Sequence, residues 1–227
     1  MSNTVRLTTD VSIIVQVITG IVGLQALFIN VTEKHQILKH VLTLEMFVQT
    51  VELFFYIYFL RTMSITSLDK MAAFRYFDWV ITTPTMLLTT IIFYKYEEHL
   101  ENNVEKNLEF WDFVKTNKDN IITIFLCNFF MLLFGYLGEI GAIDMVTSLI
   151  LGFIFFGMTF YTIYKNYAIH SKNAMKLFNF IFIVWGMYGI AALMPIHIKN
   201  NMFNILDIFA KNFLGLYLFY RINNVRQ

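Results

Sequence analysis

Seven stretches of this sequence are apolar and long enough to cross about 30 Å of hydrocarbon, at residues 11–30, 37–60, 71–94, 121–138, 145–164, 177–195 and 203–220. A chain of 227 residues, 57% of them hydrophobic, has little left from which to build a soluble globule. Mean hydropathy is +0.59. The expected fold is therefore all-α: one domain, 1–227, built as a seven-transmembrane-helix bundle and placed in the membrane as an integral, multi-pass protein. The first run lacks a basic leader and a small-residue cleavage site, so it reads as a retained helix. A net charge of +1 gives no reason to expect nucleic acid as a partner. With Cys127 the only cysteine, neither a disulfide framework nor a thiolate metal site is expected, and no metal centre is assigned.

An odd number of spans puts the termini on opposite sides, and the cations say which is which. Lys34, Lys39, Lys95, Lys106, Lys115, Lys118, Lys165, Lys172, Lys176, Arg221 and Arg226 fall in one set of connecting segments. Arg6, Arg61, Lys70 and Lys199 fall in the other. The richer set marks the cytoplasmic side, so the N-terminus is expected outside and the C-terminus in the cytoplasm. The link 94–120 carries many charges of both signs and reads as a solvated extension of helices.

Against this apolar background, Lys211 needs an explanation. An ionisable group at bilayer depth costs roughly 3 kcal/mol on insertion scales, so it persists where it is paired, faces a cavity or works. Asp207 shares its face at i−4, Asn204 continues that face, and Asn212 follows on a neighbouring one. Two readings stay open on this helix alone. One is a structural ion pair between helices; the other is an amine that binds a carbonyl cofactor, with carboxylates balancing its charge.

The other spans carry polar stripes of their own. On the first, Ser12, Gln16 and Thr19 recur at i, i+4 and i+7, a pattern that either bonds neighbouring helices or lines a path. On the second, Glu45, Gln49 and Glu52 do the same, with Tyr56 extending the face and the two carboxyls about 10 Å apart along the axis. Such a pair needs water or partners; the alternative is two protonated glutamates bonded in a dry interface. The third span reads Arg75, Tyr76, Phe77, Asp78, Trp79, then Thr82, Thr83 and Pro84. A neighbouring arginine favours the charged form of a carboxylate, which would let Asp78 balance a buried cation. The sixth span offers Trp185 and Tyr188 at i, i+3.

Together these residues resemble the microbial rhodopsins. Arg75 to Pro84 resembles their third helix, Trp185 with Tyr188 their sixth, and Asp207 to Lys211 the helix that holds their chromophore. The resemblance covers essentially the whole chain. It implies that all-trans-retinal is bound covalently to Lys211 as a protonated Schiff base, with Asp78 and Asp207 as counterions. It also implies that Trp79, Thr82, Thr83, Trp185, Tyr188 and Tyr56 surround the chromophore, and that Arg75 organises the outer half of the ion path. Two positions depart from the common pattern: Gly189 stands where many pumps have proline, and Ala192 where a second ring-contacting tryptophan is common.

The resemblance also bears on transport. The position three turns after Asp78, a carboxylate in many outward proton pumps, is Thr89. Glu45 and Glu52, with Asn212 directly after Lys211, resemble the glutamates and gate asparagine of cation channelrhodopsins. The short chain is similar to the compact rhodopsins of giant algal viruses, which implies a host-cell membrane. The expected function is a light-gated cation channel, not an enzyme. Its ion pathway would be built from Ser12, Gln16, Thr19, Glu45, Gln49, Glu52, Arg75, Asn204 and Asn212. An outward proton pump is the alternative and a photosensor ranks last, since no output domain follows Tyr220. Expected partners are lipid and cations or protons, with a homo-oligomer left open.

Overall fold

The structure, a computed structural model, describes residues 3–63 and 65–226. It is almost wholly helical. The helices are α1 (Asn3–Leu27), α2 (Gln36–Thr62), α3 (Leu68–Glu101), α4 (Phe110–Thr116), α5 (Lys118–Glu139), α6 (Met145–Asn166), α7 (Lys172–Ala192), α8 (Ile196–Asp207) and α9 (Phe213–Asn224). A five-residue π-helical segment, Ile208–Asn212, joins α8 to α9 without a break. Among the described residues, seven helical spans are long and apolar enough to cross a membrane, the last being the continuous Ile196–Asn224. Short α4 lies in the link between the third and fourth spans.

Each expected span is present, with shifted ends. The first begins at Asn3, eight residues before residue 11. Val5 explains the early start, because it packs with Phe59, Met63 and Met71 in a small cluster at the end of the bundle that carries the N-terminus. The third span continues past Tyr94 to Glu101. Its polar tail is held at the opposite end of the bundle by Arg221, whose Nη2 donates to Glu97 at 2.5 Å. Glu101 accepts from the backbone N–H groups of Lys172 and Asn173 at 3.0 and 3.1 Å, capping α7 alongside Ser171. The same end holds an antiparallel bridge between Val31 and Arg226.

The lipid-facing surface is apolar, so helix association rests on close packing and interhelical hydrogen bonds, not on hydrophobic burial. The α5–α6 hairpin shows both. Gly138 lacks a side chain where Ser148 approaches, and the Ser148 hydroxyl donates to the Phe134 carbonyl at 2.8 Å. Gly141 turns this hairpin at φ +73°, a conformation that costs glycine little. Asp144 caps α6, and hydrogen bonds from the Thr147 side chain and backbone hold its carboxyl below the usual carboxylate range. Inside the bundle, α1, α2, α3 and the last span bring their polar stripes together.

Candidate functional site

Lys211 sits in the π-helical segment, in the middle of the last span. A widened turn of this kind replaces i→i+4 with i→i+5 bonding and is common at functional sites. Here two consecutive side chains face inward: Lys211 reaches Asp78 on α3, and Asn212 reaches Thr19 on α1, each at 2.5 Å. Lys211 is 2% exposed, and its Nζ also stands 3.9 Å from Glu52 Oε1 on α2. Truncating one partner of so buried an ion pair costs about 3–5 kcal/mol, because the other charge is stranded.

Asp207 has a different role in the geometry. Its Oδ2 accepts from the Tyr56 hydroxyl at 2.7 Å and from Arg75 at 3.2 Å, and its Oδ1 accepts from the Tyr188 hydroxyl at 2.7 Å. Arg75, 1% exposed, also donates to Tyr56 and Asn204 and lies over the rings of Phe59 and Phe203. Asp207 is thus neutralised by the arginine and two phenols, while Asp78 and Glu52 face the lysine. The nearness of Glu52 to the amine depends on how α2 packs, which its spacing does not reveal.

A cavity opens from Lys211 between α3, α5, α6 and α7, with about 120 Å³ open to the centre of a water-sized sphere. Trp79, Thr83, Trp185 and Tyr188 line it. Trp79 meets Tyr188 and Phe203 edge to face at 5.3 and 5.2 Å. Tyr56 and Thr82 are buried but do not line it. Tyr56 is held on Asp207, and Thr82 donates to the Asp78 carbonyl at 2.9 Å. Thr83 likewise bonds the Trp79 carbonyl at 2.7 Å, so the two threonines tie the backbone just ahead of Pro84, where a helical N–H is missing. Asn128 on α5 donates to Thr83 at 2.8 Å. It escaped the sequence reading, although a lone amide amid Leu126, Cys127, Phe129 and Phe130 was a usable signal.

The polar stripes converge into a layered seam. On the N-terminal side of Lys211, Asn204 donates to Thr8 and Thr9 and its carbonyl accepts from Ser12 at 3.0 Å. On the other side, beyond the Thr19–Asn212 bond, Gln49 lies between Gly20 and Gly215. Neither polar atom of Gln16 or Gln49 has a hydrogen-bond partner within the described residues. Further along, Thr89 donates to Glu45, and both groups are fully buried. Last comes the Glu97–Arg221 pair, with Asn173 donating to Glu97 at 2.9 Å. Ser12, Gln16, Thr19, Glu45, Gln49, Glu52, Arg75, Asn204 and Asn212 are all buried. Buried amides and carboxyls without protein partners are the usual hosts of ordered water.

A family profile described as bacteriorhodopsin-like protein matches residues 7–225. No curated protein matches the sequence. Among solved structures, the viral rhodopsin OLPVRII is similar at 26% identity and TM-score 0.83, over 98% of this chain and 99% of its own. Acetabularia rhodopsin I aligns at 16% identity and TM-score 0.75, covering 99% of this chain and 96% of that one. Exiguobacterium sibiricum rhodopsin aligns at 16% and 0.73, covering 98% and 97%. The last two identities bear on fold alone. With a seven-span bundle, a buried lysine–aspartate pair and a match over nearly its whole length, this chain belongs to the bacteriorhodopsin-like family of integral membrane proteins, the microbial rhodopsins.

Proposed function

We propose that this protein is a retinal photoreceptor acting as a light-gated cation channel, with its N-terminus outside and the Glu97–Arg221 end in the cytoplasm. The family generally binds retinal through a lysine, and the residues present fit that group: an amine opening into an aromatic, apolar cavity with carboxylates behind it. Retinal, when bound, supplies a light-driven isomerisation. The chain's residues do the rest. Lys211 Nζ carries the proton, and Asp78 Oδ2, already hydrogen bonded to it, receives that proton. The transfer removes a positive charge from the middle of the seam. Asp207, engaged by Arg75, Tyr56 and Tyr188, holds the outer half in place meanwhile.

The observation that carries the channel reading is the seam itself. Acidic and amide side chains follow one another on both sides of Lys211, and the amides of Gln16 and Gln49 have no protein partner among the described residues. Such a lining favours cations over anions. Thr19–Asn212 and Thr89–Glu45 then serve as closures that open when the central charge leaves.

An outward proton pump is the second reading, favoured by the Thr89–Glu45 bond, which sets a carboxyl at the depth where a reprotonating group would serve. Illuminating cells that express the protein, in weakly buffered medium, separates the two. The channel reading expects no sustained acidification against a proton gradient. Steady export that a protonophore abolishes would support the pump.

A further inference from the structure

The end of the cavity toward the α5–α6 turn, beyond the aromatic belt, carries polar groups among its apolar lining. Along α5, Met131, Gly135 and Glu139 line it at one-turn intervals, and Ser148 and Gly152 do so on α6. On α7, Ala192 lines this end with a small side chain, and the Phe153 ring packs against Gly189. Three polar side chains line it there: Tyr76, Glu139 and Ser148. The Glu139 carboxylate, 3% exposed, is held by Lys199 Nζ at 3.0 and 3.1 Å. The Ser148 hydroxyl spends its proton on the Phe134 carbonyl, which leaves its oxygen free to accept. The Tyr76 hydroxyl lies directly over Gly135, where a Cβ would come within 2.8 Å of it. That phenol has no hydrogen-bond partner among the described residues, only ring contacts to Trp79 and Tyr136.

We infer that this end is a subsite for a polar substituent on the chromophore's ring: the cavity selects a retinoid whose ring carries a hydroxyl on the edge away from the polyene chain. The inference rests on the reading of Lys211 as the retinal lysine. An unsubstituted hydrocarbon ring would cover the Tyr76 hydroxyl without bonding it, and would lie beside a carboxylate. Either arrangement leaves polar groups poorly solvated. A ring hydroxyl accepts from Tyr76 and donates its one proton to Glu139 or Ser148, so the phenol gains a partner and the new hydroxyl is itself satisfied. A site built to bond a hydroxyl discriminates against the analogue that lacks it. Gly135 is required for this arrangement, since any larger residue would displace the phenol.

The test is competitive reconstitution. Membranes holding the full chain, made without retinoid, are given equal amounts of all-trans-retinal and its ring-hydroxylated analogue. The bound retinoids are then extracted and quantified. One to two hydrogen bonds predict about a tenfold preference for the hydroxylated form. Tyr76→Phe should bring the ratio near one, and Glu139→Gln should lower it independently if the first variant yields too little protein. Because a ratio is read, a general loss of uptake does not imitate the effect. Equal retention by the wild type, or a preference untouched by both substitutions, overturns the subsite. Uptake of neither retinoid overturns the retinal reading, and the subsite falls with it.

Discussion

Glu52 Oε1 on α2 stands 3.9 Å from Lys211 Nζ, while Asp78 Oδ2 on α3 closes to 2.5 Å. Asp207 is bonded instead to Arg75, Tyr56 and Tyr188. This ordering predicts a ranking of colour changes. Loss of a negative charge beside the lysine-borne cation moves absorption to longer wavelength. Asp78→Asn should give the largest red shift, Glu52→Gln a smaller one and Asp207→Asn the least. Absorption spectra of the three reconstituted variants check it; a dominant shift in Asp207→Asn would contradict the assignment.

Lys211→Ala should be colourless after reconstitution, and Lys211→Arg should not restore colour, because a guanidinium does not condense with an aldehyde under these conditions. The alanine variant also strands Asp78 and Glu52 in the interior. Its apoprotein should lose about 3–5 kcal/mol of stability, and adding Asp78→Asn should recover part of that. Thermal unfolding of the single and double variants measures both effects. A coloured Lys211→Ala protein would end the retinal account.

Gly215 and Gly20 flank Gln49 unequally. A Cβ at Gly215 would come within 2.5 Å of Gln49 Nε2, whereas one at Gly20 would rest 3.9 Å from Oε1, an ordinary contact. Gly215→Ala should therefore displace the amide and change photocurrent amplitude at least several-fold, with Gly20→Ala close to wild type. Equal effects from the two variants would remove Gln49 from the conducting path.

The Glu97–Arg221 bond closes the end of the seam away from the N-terminus, with Glu97 1% and Arg221 20% exposed. A double-mutant cycle using Glu97→Gln and Arg221→Ala should give a coupling of about 1–3 kcal/mol, above that of an exposed pair. Each single variant should also speed the rise of the light response. Thermal melts and flash-triggered currents provide the two readouts.

The spans were readable because about twenty apolar residues in a row have few other uses, and the charged residues inside them stand out for the same reason. Lys211 and Asp78 stand out on this basis and are hydrogen bonded to each other, while Trp79, Trp185 and Tyr188, singled out by the resemblance, line the cavity beside Lys211. What escaped depends on how helices rotate against one another. Nothing in the spacing of α2 says that Glu52 faces the lysine, or that Glu45 meets Thr89. The π-helical turn at Lys211 has no local signature, since it adjusts the backbone to neighbours on two sides. The continuation of α3 past Tyr94 was legible in the charged link 94–120, but its end at Glu101 was not, because charges end the apolar run without ending the helix.

Passive cation flow through the seam is decided by voltage-clamp recording under illumination. A channel gives a photocurrent that reverses sign near the equilibrium potential of the permeant cation and follows that potential when the ion gradient is changed. A photocurrent that stays outward at every holding potential, whatever the gradients, would contradict it and leave active proton export in its place.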